Sequence, residues 1–284
     1  MKIAIISASG FLGKKLFKYL SKNHNVIGTY FEKEEEEELY YLDATKFEDV
    51  KDFLLKHRPD IVIDTIALTS SVACEKNPEQ CRLLNYTTAE NIAKSCEEIN
   101  AKMVFISSSY IFDGENGNYK ETDKPFPENE YAKNKILAEE KVLKLKDSIV
   151  IRTEPMYGYD DNINQIKFGT GTFEKEVIEV GYTNLLRNPT FINDIPEIIS
   201  KLLEKRKSGI FNIGGPEKIN FLDFLKKLAL LVNAENNIKI VDSSDWIVKS
   251  PKNSTLDISK INSLDIKTTP FEEALKIIKK SINH

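Results

Sequence analysis

The sequence has few cysteines and no long apolar run. The three cysteines, Cys74, Cys81 and Cys96, are too few for a disulfide framework and lack zinc-site spacing, so we expect reduced thiols in a cytoplasmic protein without a metal. The apolar runs are shorter than a membrane span, and the one after Met1 is too short for a signal peptide. We therefore expect no membrane partner.

A strong charge of either sign is also missing. The 284 residues carry 40 basic and 44 acidic side chains, which gives a formal net charge of -4. The sequence has no basic stripe that could neutralise a phosphate backbone, which argues against nucleic acid as a partner. A content of 41% hydrophobic and 30% charged residues is typical of a globular chain, so a small molecule is the expected partner.

The first half of the sequence alternates strand-like and helix-like patterns. Short apolar runs separated by amphipathic stretches predict parallel strands joined by crossover helices. We therefore predict an α/β fold, with a doubly wound Rossmann-type parallel sheet and a smaller C-terminal α/β substrate lobe. The predicted strands are Lys2–Ser7, Asn25–Tyr30, Asp60–Ala67, Lys102–Ser107 and Ser148–Arg152, and the predicted helices are Phe11–Lys22, Phe47–Lys56, Pro78–Asn100 and Glu128–Leu145.

Residues 7–13, Ser-Ala-Ser-Gly-Phe-Leu-Gly, join the first predicted strand to the first predicted helix. Glycines at such a turn let the main chain approach a pyrophosphate, and the helix N-terminus offers unpaired N–H groups. The first glycine of the usual pattern is replaced by Ser7, which predicts weaker binding. The predicted dinucleotide contacts are Ser9, Gly10, Phe11, Leu12 and Gly13.

The end of the second predicted strand bears on the choice between NADP and NAD. Residues 28–31 lack the carboxylate that binds the adenosine ribose in NAD enzymes. This favours NADP, with Tyr30 beside the cofactor and Thr29 and Lys33 as phosphate contacts, and leaves NAD as the alternative. The acidic run Glu34–Glu38 argues the other way, because it would repel a 2′-phosphate.

Tyr131 and Lys135 are four residues apart near the start of a predicted helix, so their side chains lie on one face. A nearby ammonium lowers the pKa of a phenol, which can then protonate a carbonyl oxygen as hydride reaches the carbon. The preceding predicted strand ends in the serines at 107–109, and the carboxyl end of a parallel strand faces the ligand crevice. We therefore predict acid–base chemistry here, with a serine turn as the alternative explanation of the hydroxyl cluster.

The sequence pattern becomes irregular after about residue 156. Two further helices are predicted in this half, at Phe221–Val232 and Phe271–Ser281. We divide the chain into a NAD(P)-binding domain over residues 1–155 and a mainly substrate-binding lobe over residues 156–284. Because no Pro- or Ser-rich linker separates them, we expect later segments to return to the first domain.

Together these motifs resemble the extended short-chain dehydrogenase/reductases, and within them the dTDP-4-dehydrorhamnose reductase family. The likeness covers nearly the whole chain, and its C-terminal segments distinguish this family from generic sugar epimerases. The further segments that carry it are Leu42–Thr45, Arg58–Ile63, Ala67–Thr69, Cys74-Glu75, Asn85–Ala93, Ser107–Gly114, Arg152-Thr153, Tyr157-Gly158, Asn188–Thr190 and Pro251–Asp257.

The resemblance also implies the roles of particular residues. Asn85 either supports the catalytic lysine through a water molecule or packs between helices. Lys135 binds the cofactor as well as serving in catalysis. The implied residues are Ser108, Tyr131 and Lys135 for catalysis, Asp43, Ala44, Ala67 and Leu68 for the cofactor, and Thr69, Ser109, Tyr110 and Asn253 for the substrate.

The implied activity is reduction by NADPH or NADH of the 4-keto group of a nucleotide-activated deoxysugar, in particular dTDP-4-dehydro-L-rhamnose to dTDP-L-rhamnose. Two departures concern the sugar, because the family commonly has Asp where Ser109 stands and Trp where Pro155 stands. Two alternatives stay open: a non-catalytic NADP-binding subunit resembling the methionine adenosyltransferase β subunit, and a nucleotide-sugar epimerase or dehydratase. A nucleotide sugar is the expected substrate, and a homodimer stays open as the assembly.

Overall fold

The computed structural model describes residues 1–32, 38–161, 163–169, 171–173, 177–242, 248 and 250–283. The chain separates into two compact units, each built from three stretches. The first comprises Met1–Ser107, Glu130–Arg152 and Ile195–Phe211, and the second comprises Ser108–Asn129, Thr153–Asp194 and Asn212–His284. Both halves of the sequence therefore contribute to each unit. The assignment of the cofactor to one part and the sugar to another stays a prediction.

Strands and helices alternate through the first half of the described chain. The strands are β1 (Lys2–Ile6), β2 (Asn25–Tyr30), β3 (Leu39–Tyr41), β4 (Ile61–Asp64), β5 (Lys102–Ser108), β6 (Ile149–Thr153), β7 (Met156–Asp160), β8 (Gln165–Phe168), β9 (Gly171–Thr172), β10 (Ile178–Val180), β11 (Leu186–Arg187), β12 (Thr190–Phe191), β13 (Gly209–Ile213), β14 (Ile219–Asn220) and β15 (Ile238–Ile240). The α-helices are α1 (Phe11–Leu20), α2 (Phe47–His57), α3 (Ser71–Lys76), α4 (Pro78–Arg82), α5 (Thr88–Ile99), α6 (Glu130–Val142), α7 (Asp194–Glu204), α8 (Phe221–Leu230), α9 (Ser259–Asn262) and α10 (Phe271–Ile282).

A seven-stranded sheet has the strand order β13-β6-β5-β4-β1-β2-β3. The pairings from β3 through β2, β1 and β4 to β5 are parallel. The strand order reverses between β1 and β4, and ligands of such sheets bind beyond the carboxyl ends of the strands at this reversal. The predicted Rossmann-type fold is confirmed.

The central strands are buried on both faces, as parallel strands covered by helices must be. Ile3, Ala4 and Ile5 of β1 and Val62 and Ile63 of β4 have no exposed surface. Ala4 and Val62 share one hydrophobic core with the apolar faces of α2 and α5. Burial of these side chains fixes the positions at which β1 and β4 end.

Two predicted elements differ from the structure. The helix predicted over Pro78–Asn100 is divided into α4, a π-helical turn at Leu83–Thr87, and α5. A π turn accommodates an extra residue within a helix and often occurs at a functional position; this one carries Asn85. The strand predicted over Asp60–Ala67 ends at Asp64, where the chain leaves the sheet.

The second unit contains a four-stranded sheet of order β12-β7-β8-β9 and the strand pairs β10-β15 and β11-β14. Its core is aromatic: the ring of Tyr157 contacts those of Phe191, Phe224 and Phe271 at centroid distances of 5.6, 5.0 and 5.7 Å. These short strands, packed with α8 and α10, form the smaller α/β lobe expected from the sequence. Among the described helices of the whole chain, none is long and apolar enough to cross a membrane.

Candidate active site

The predicted dinucleotide turn lies between β1 and α1. Ser7 adopts φ +65°, a left-handed conformation that glycine adopts without cost and serine does not. The N–H of Gly10 donates to the Ser7 carbonyl at 3.1 Å and closes the turn. A Cβ on Gly13 would lie 2.3 Å from the same carbonyl oxygen, so only glycine lets α1 pack against the turn. Ser9 and Phe11 are half-buried, and Leu12 is buried.

Two threonines brace this turn from neighbouring strands. The Thr29 hydroxyl accepts the Ser7 N–H at 3.1 Å. The Thr65 hydroxyl contacts the carbonyls of Ile6 and Ser7 at 2.8 and 3.1 Å. Thr29, predicted as a phosphate contact, is 1% exposed and supports the turn instead. The predicted phosphate contact Lys33, like residues 34–37 of the acidic run, lies outside the described residues.

Three of the predicted cofactor residues lie at the end of β2 and just after β3, namely Tyr30, Asp43 and Ala44. Tyr30 is half-buried at the end of β2, with its ring edge against Tyr41 at a centroid distance of 5.8 Å. Asp43 is buried, and its Oδ1 accepts hydrogen bonds from the N–H and hydroxyl of Thr45 at 3.1 and 2.6 Å. Burial alone would raise the pKa of Asp43, but hydrogen bonds from Thr45 and Lys46 lower it overall. Asp43, two residues after β3, therefore carries a carboxylate that stays ionised and shapes its own loop.

Asn85 clamps the main chain after β4. Its Oδ1 accepts the Leu68 N–H and its Nδ2 donates to the Leu68 carbonyl, both at 3.1 Å. The side chain is 1% exposed, and its Nδ2 also donates to the Cys81 Sγ at 3.4 Å, so Asn85 holds Leu68 from the protein interior. The structure thus gives Asn85 a direct contact with a predicted cofactor segment. Ala67 and Leu68 are half-buried in this segment, and the following Thr69 is exposed.

Tyr131 and Lys135 occupy the first two turns of α6, as the spacing predicts. Tyr131 is 7% exposed and Lys135 is 1% exposed. The Lys135 Nζ donates to the carbonyl of Ile106 at 2.9 Å and lies 4.6 Å from the centroid of the Phe105 ring. Burial lowers the pKa of Lys135 to about 8, while Asp64 and Glu139 oppose the shift. The lysine is thereby tied to the carboxyl-terminal half of β5.

Two carboxylates fix the position of α6. The Glu75 carboxylate accepts the N–H of Glu130, the first residue of α6, at 2.7 Å, a position where the helix dipole favours a negative charge. One turn after Lys135, Glu139 forms a two-pronged ion pair with Arg152 of β6, with Nε–Oε1 and Nη2–Oε2 distances of 3.1 and 2.7 Å. Both side chains of this pair are almost fully buried. The helix that carries Tyr131 therefore has little freedom to shift.

The serines at the end of β5 differ in their surroundings. Ser108 ends the strand, is 8% exposed, and accepts the Tyr110 N–H on its hydroxyl at 3.2 Å. This is the serine turn that the sequence leaves as an alternative, and a hydroxyl that accepts a hydrogen bond still has its own proton to donate. Ser109 has no exposed surface, whereas Tyr110 is half-buried.

Sequence reasoning did not identify Glu154, which is 1% exposed in the second unit. Its carboxylate accepts a hydrogen bond from the Ser254 hydroxyl at 2.5 Å. Burial raises the pKa of Glu154, and Arg187 opposes the shift. The one sequence signal was a carboxylate beside Pro155, where the family commonly has Trp.

The predicted substrate residue Asn253 lies next to this group. Its N–H donates to the Gly114 carbonyl at 2.9 Å and its Oδ1 accepts the Thr255 hydroxyl at 2.8 Å. The guanidinium of Arg187 bonds the neighbouring Pro251 carbonyl at 2.7 Å and lies 5.7 Å from the Tyr110 ring centroid. Buried polar contacts in the second unit thus connect the segments that carry Ser109, Tyr110 and Asn253.

The chain matches the family described as the RmlD substrate binding domain over residues 1–283. It belongs to that family. One similar solved structure is that of a hypothetical dTDP-4-dehydrorhamnose reductase from Sulfolobus tokodaii. Its sequence is 32% identical to this chain, and the two structures have a TM-score of 0.81 over 96% of this chain and 99% of that one. The predicted likeness to dTDP-4-dehydrorhamnose reductases and to the extended short-chain dehydrogenase/reductases is confirmed.

Curated relatives of this RmlD-family chain carry two kinds of description. Methionine adenosyltransferase 2 subunit beta of Mus musculus is 28% identical over 97% of this chain and 86% of its own length. A probable low-salt glycan biosynthesis reductase of Haloferax volcanii is 26% identical over 90% of both chains. The relatives therefore include both a probable reductase and a subunit of a methionine adenosyltransferase.

Proposed function

We propose that the chain is a NAD(P)H-dependent reductase of the 4-keto group of a nucleotide-activated deoxysugar, most specifically of dTDP-4-dehydro-L-rhamnose to dTDP-L-rhamnose. The observation that carries the proposal is Lys135, buried one turn after Tyr131 on α6 and bonded to the Ile106 carbonyl of β5. Membership of the RmlD family and the likeness to the Sulfolobus tokodaii protein support the same reaction class.

The proposed roles follow from the chemistry of each side chain. Tyr131 gives its phenolic proton to the carbonyl oxygen that becomes the alcohol, and the Lys135 ammonium stabilises the phenolate left behind. Ser108, whose hydroxyl proton is available, orients the carbonyl by a hydrogen bond. The bound nicotinamide cofactor supplies the hydride.

The turn between β1 and α1 fits the pyrophosphate of such a cofactor. The N-cap of α1 is Gly10, which has no side chain to occupy the first N–H groups, so these remain suited to an anion. We assign the cofactor to this turn and to the segments at Tyr30, Asp43-Ala44 and Ala67-Leu68, with NADP preferred over NAD. The sugar is assigned to Thr69 and to the segments at Ser109-Tyr110 and Asn253.

The test follows the absorbance of NADPH, and separately of NADH, while the purified protein meets dTDP-4-dehydro-L-rhamnose. We expect Tyr131→Phe to reduce kcat by about 100-fold or more, the usual worth of a positioned acid, and to bind cofactor as the parent does. Tyr19→Phe makes the same chemical change on α1 and serves as the control. Equal turnover by parent and Tyr131→Phe would refute the assignment of the acid.

A second function is favoured by the match to the methionine adenosyltransferase β subunit over 97% of the chain. In that case the chain binds NADP and regulates a synthetase without its own turnover. We expect such a chain to co-elute with a methionine adenosyltransferase catalytic subunit in size-exclusion chromatography. Keto-sugar turnover without co-elution would decide for the reductase, and the reverse result would decide for the subunit.

A further inference from the structure

Lys135 places an ammonium in the protein interior with little polar compensation. It is 1% exposed, and within the described residues its Nζ donates a hydrogen bond to one neutral carbonyl, that of Ile106. An ammonium has three N–H donors, and losing its hydration is costly unless a negative charge lies nearby. A charge on this side chain at neutral pH therefore requires a partner of opposite sign.

The register of the sheet brings a carboxylate to this position. Asp64 of β4 pairs with Phe105 of the neighbouring parallel strand β5, and paired residues direct their side chains to the same face of a sheet. The Lys135 Nζ lies 4.6 Å from the centroid of the Phe105 ring. Asp64 and the ammonium therefore lie on one face of adjacent strands.

The Asp64 carboxylate has one oxygen left for such a charge. Asp64 is 1% exposed, and its Oδ1 accepts the Ile66 N–H at 2.9 Å. Within the described part of the chain, Oδ2 has no hydrogen-bond partner. Burying an ionised carboxylate without a partner costs free energy, as burying an ammonium does. Each of the two opposite charges therefore lowers the cost of burying the other.

Among the described residues, the other titratable groups around the pair include three thiols, one carboxylate that is already paired, and Tyr131, which lies one turn before Lys135 on the same face of α6. Glu139, one turn after Lys135, is bound by Arg152 of β6. The thiols are Cys74 of α3 and Cys81 of α4, which face Lys135, and Cys96 of α5, which faces Asp64.

We propose that Asp64 is a positioning residue that keeps Lys135 in its ammonium form. Its effect on turnover rests on the proposed reductase function, whereas its effect on the charge of Lys135 does not. Nothing in the sequence motifs pointed to Asp64, because it lies inside the strand predicted over Asp60–Ala67.

The directions of titration agree with this role. Burial raises the pKa of Asp64 to about 6, with Lys135 opposing, and burial lowers the pKa of Lys135 to about 8, with Asp64 opposing. Both groups are therefore charged between these two pH values. Removing the carboxylate removes an interaction that favours the ammonium, so Lys135 should lose its proton at a lower pH.

The experiment observes Lys135 directly in protein labelled with lysine 13C at the ε position, with the Lys135 signal assigned by its loss in Lys135→Arg. We expect Asp64→Asn, which keeps an acceptor for the Ile66 N–H, to lower the titration midpoint of this signal by about one pH unit or more, a tenfold change in its proton affinity. Asp60→Asn makes the same change at the other end of β4 and should leave the midpoint unchanged.

The parent protein provides a test that does not depend on whether any of the variants folds. If the two groups interact, the Lys135 signal must show a second inflection where Asp64 titrates. A parent signal without this inflection, or an unchanged midpoint in Asp64→Asn, would overturn the proposal. A midpoint that moves in Cys81→Ser but not in Asp64→Asn would also overturn it and assign the counter-charge to the thiol. Coupled titration without keto-sugar turnover would refute the reductase and leave the role of Asp64 intact.

Discussion

At the scale of single residues, the candidate site is built from buried polar contacts that hold the reactive helix. Glu139 and Arg152 meet with almost no exposed surface, and Glu75 receives the first N–H of α6. Neither contact touches the predicted chemistry, yet both determine where Tyr131 stands. Small displacements of a positioned acid cost large factors in rate, so these contacts matter for function as well as for stability.

The buried ion pair gives the first prediction. We expect Glu139→Gln to lower the free energy of unfolding by about 3 kcal/mol, because it leaves the Arg152 guanidinium buried without its counter-charge. Urea unfolding followed by circular dichroism measures this loss. Glu140→Gln, at the exposed neighbouring position, should change the unfolding free energy by less than about 0.5 kcal/mol.

Removing both charges should be less harmful than removing one. In the Glu139→Leu/Arg152→Met double variant no unpaired charge remains, so its loss of stability should be smaller than the sum of the two single losses. Additive losses would show that the two side chains do not act as a pair.

At the scale of elements, the β1–α1 connection combines a strained residue with a close helix contact. Ser7 takes φ +65°, and α1 approaches the Ser7 carbonyl so closely that Gly13 has no room for a Cβ. The approach at Gly10 is looser, since a Cβ there would lie 3.3 Å from the same oxygen. The close packing of α1 against the turn therefore requires glycine at position 13 but not at position 10.

This difference gives a prediction about two matched substitutions. We expect Gly13→Ala to cost about 1–3 kcal/mol of unfolding free energy, because a Cβ at 2.3 Å forces α1 away from the turn. Gly10→Ala, which changes a helix N-cap without a severe contact, should cost below about 1 kcal/mol. Thermal and urea unfolding of both variants measure the order, and equal losses would contradict the role assigned to Gly13.

Periodicity predicted the alternating strands and helices because burial on both faces of a sheet requires apolar runs of strand length. It did not predict β3, a three-residue edge strand with largely exposed side chains, which has no such requirement. It also joined Pro78–Asn100 into one helix, because the chain stays helical through the π turn at Leu83–Thr87. The contact between Asn85 of this turn and Leu68 joins segments that are distant in the sequence, and a single sequence gives no signal for it.

The site was predictable where side-chain chemistry depends on local spacing. Tyr131 and Lys135 are four residues apart, and residues at this spacing lie on the same face of an α-helix. Asp64 and Glu154 depend on pairing between distant segments, such as Asp64 with Phe105 and Glu154 with Ser254. A single sequence carries no signal for such pairings.

At the scale of the whole molecule, helix–helix ion pairs make stability depend on pH. Glu90 of α5 accepts the Tyr86 hydroxyl at 2.9 Å and bridges to Lys141 of α6 at 2.8 Å. The hydrogen bond from Lys141 lowers the pKa of Glu90 from 4.5 to about 2. A lowered folded-state pKa stabilises the fold above the unfolded value, and this stabilisation is lost as pH falls through the folded value.

The resulting prediction concerns acid unfolding. We expect Glu90→Gln to be less stable than the parent at pH 7, with a deficit that shrinks as the pH falls from 4.5 towards 2. Urea unfolding at several pH values in this window measures it. Glu98→Gln, on the same helix with a more exposed carboxylate, is the matched control, and a deficit that does not depend on pH would contradict the role of Glu90.

The interleaving of the two units has a consequence for how the chain is made. The seven-stranded sheet needs β13, which ends at Ile213 of 284 residues. A ribosome that has delivered β1 to β5 has not yet supplied the last strand of that sheet, and by Ser107 it begins a stretch that belongs to the other unit. Neither unit can be completed during synthesis before most of the chain has emerged. Nascent chains stopped near residue 155 should therefore remain sensitive to protease, and those that expose residue 213 should be the first to protect the sheet.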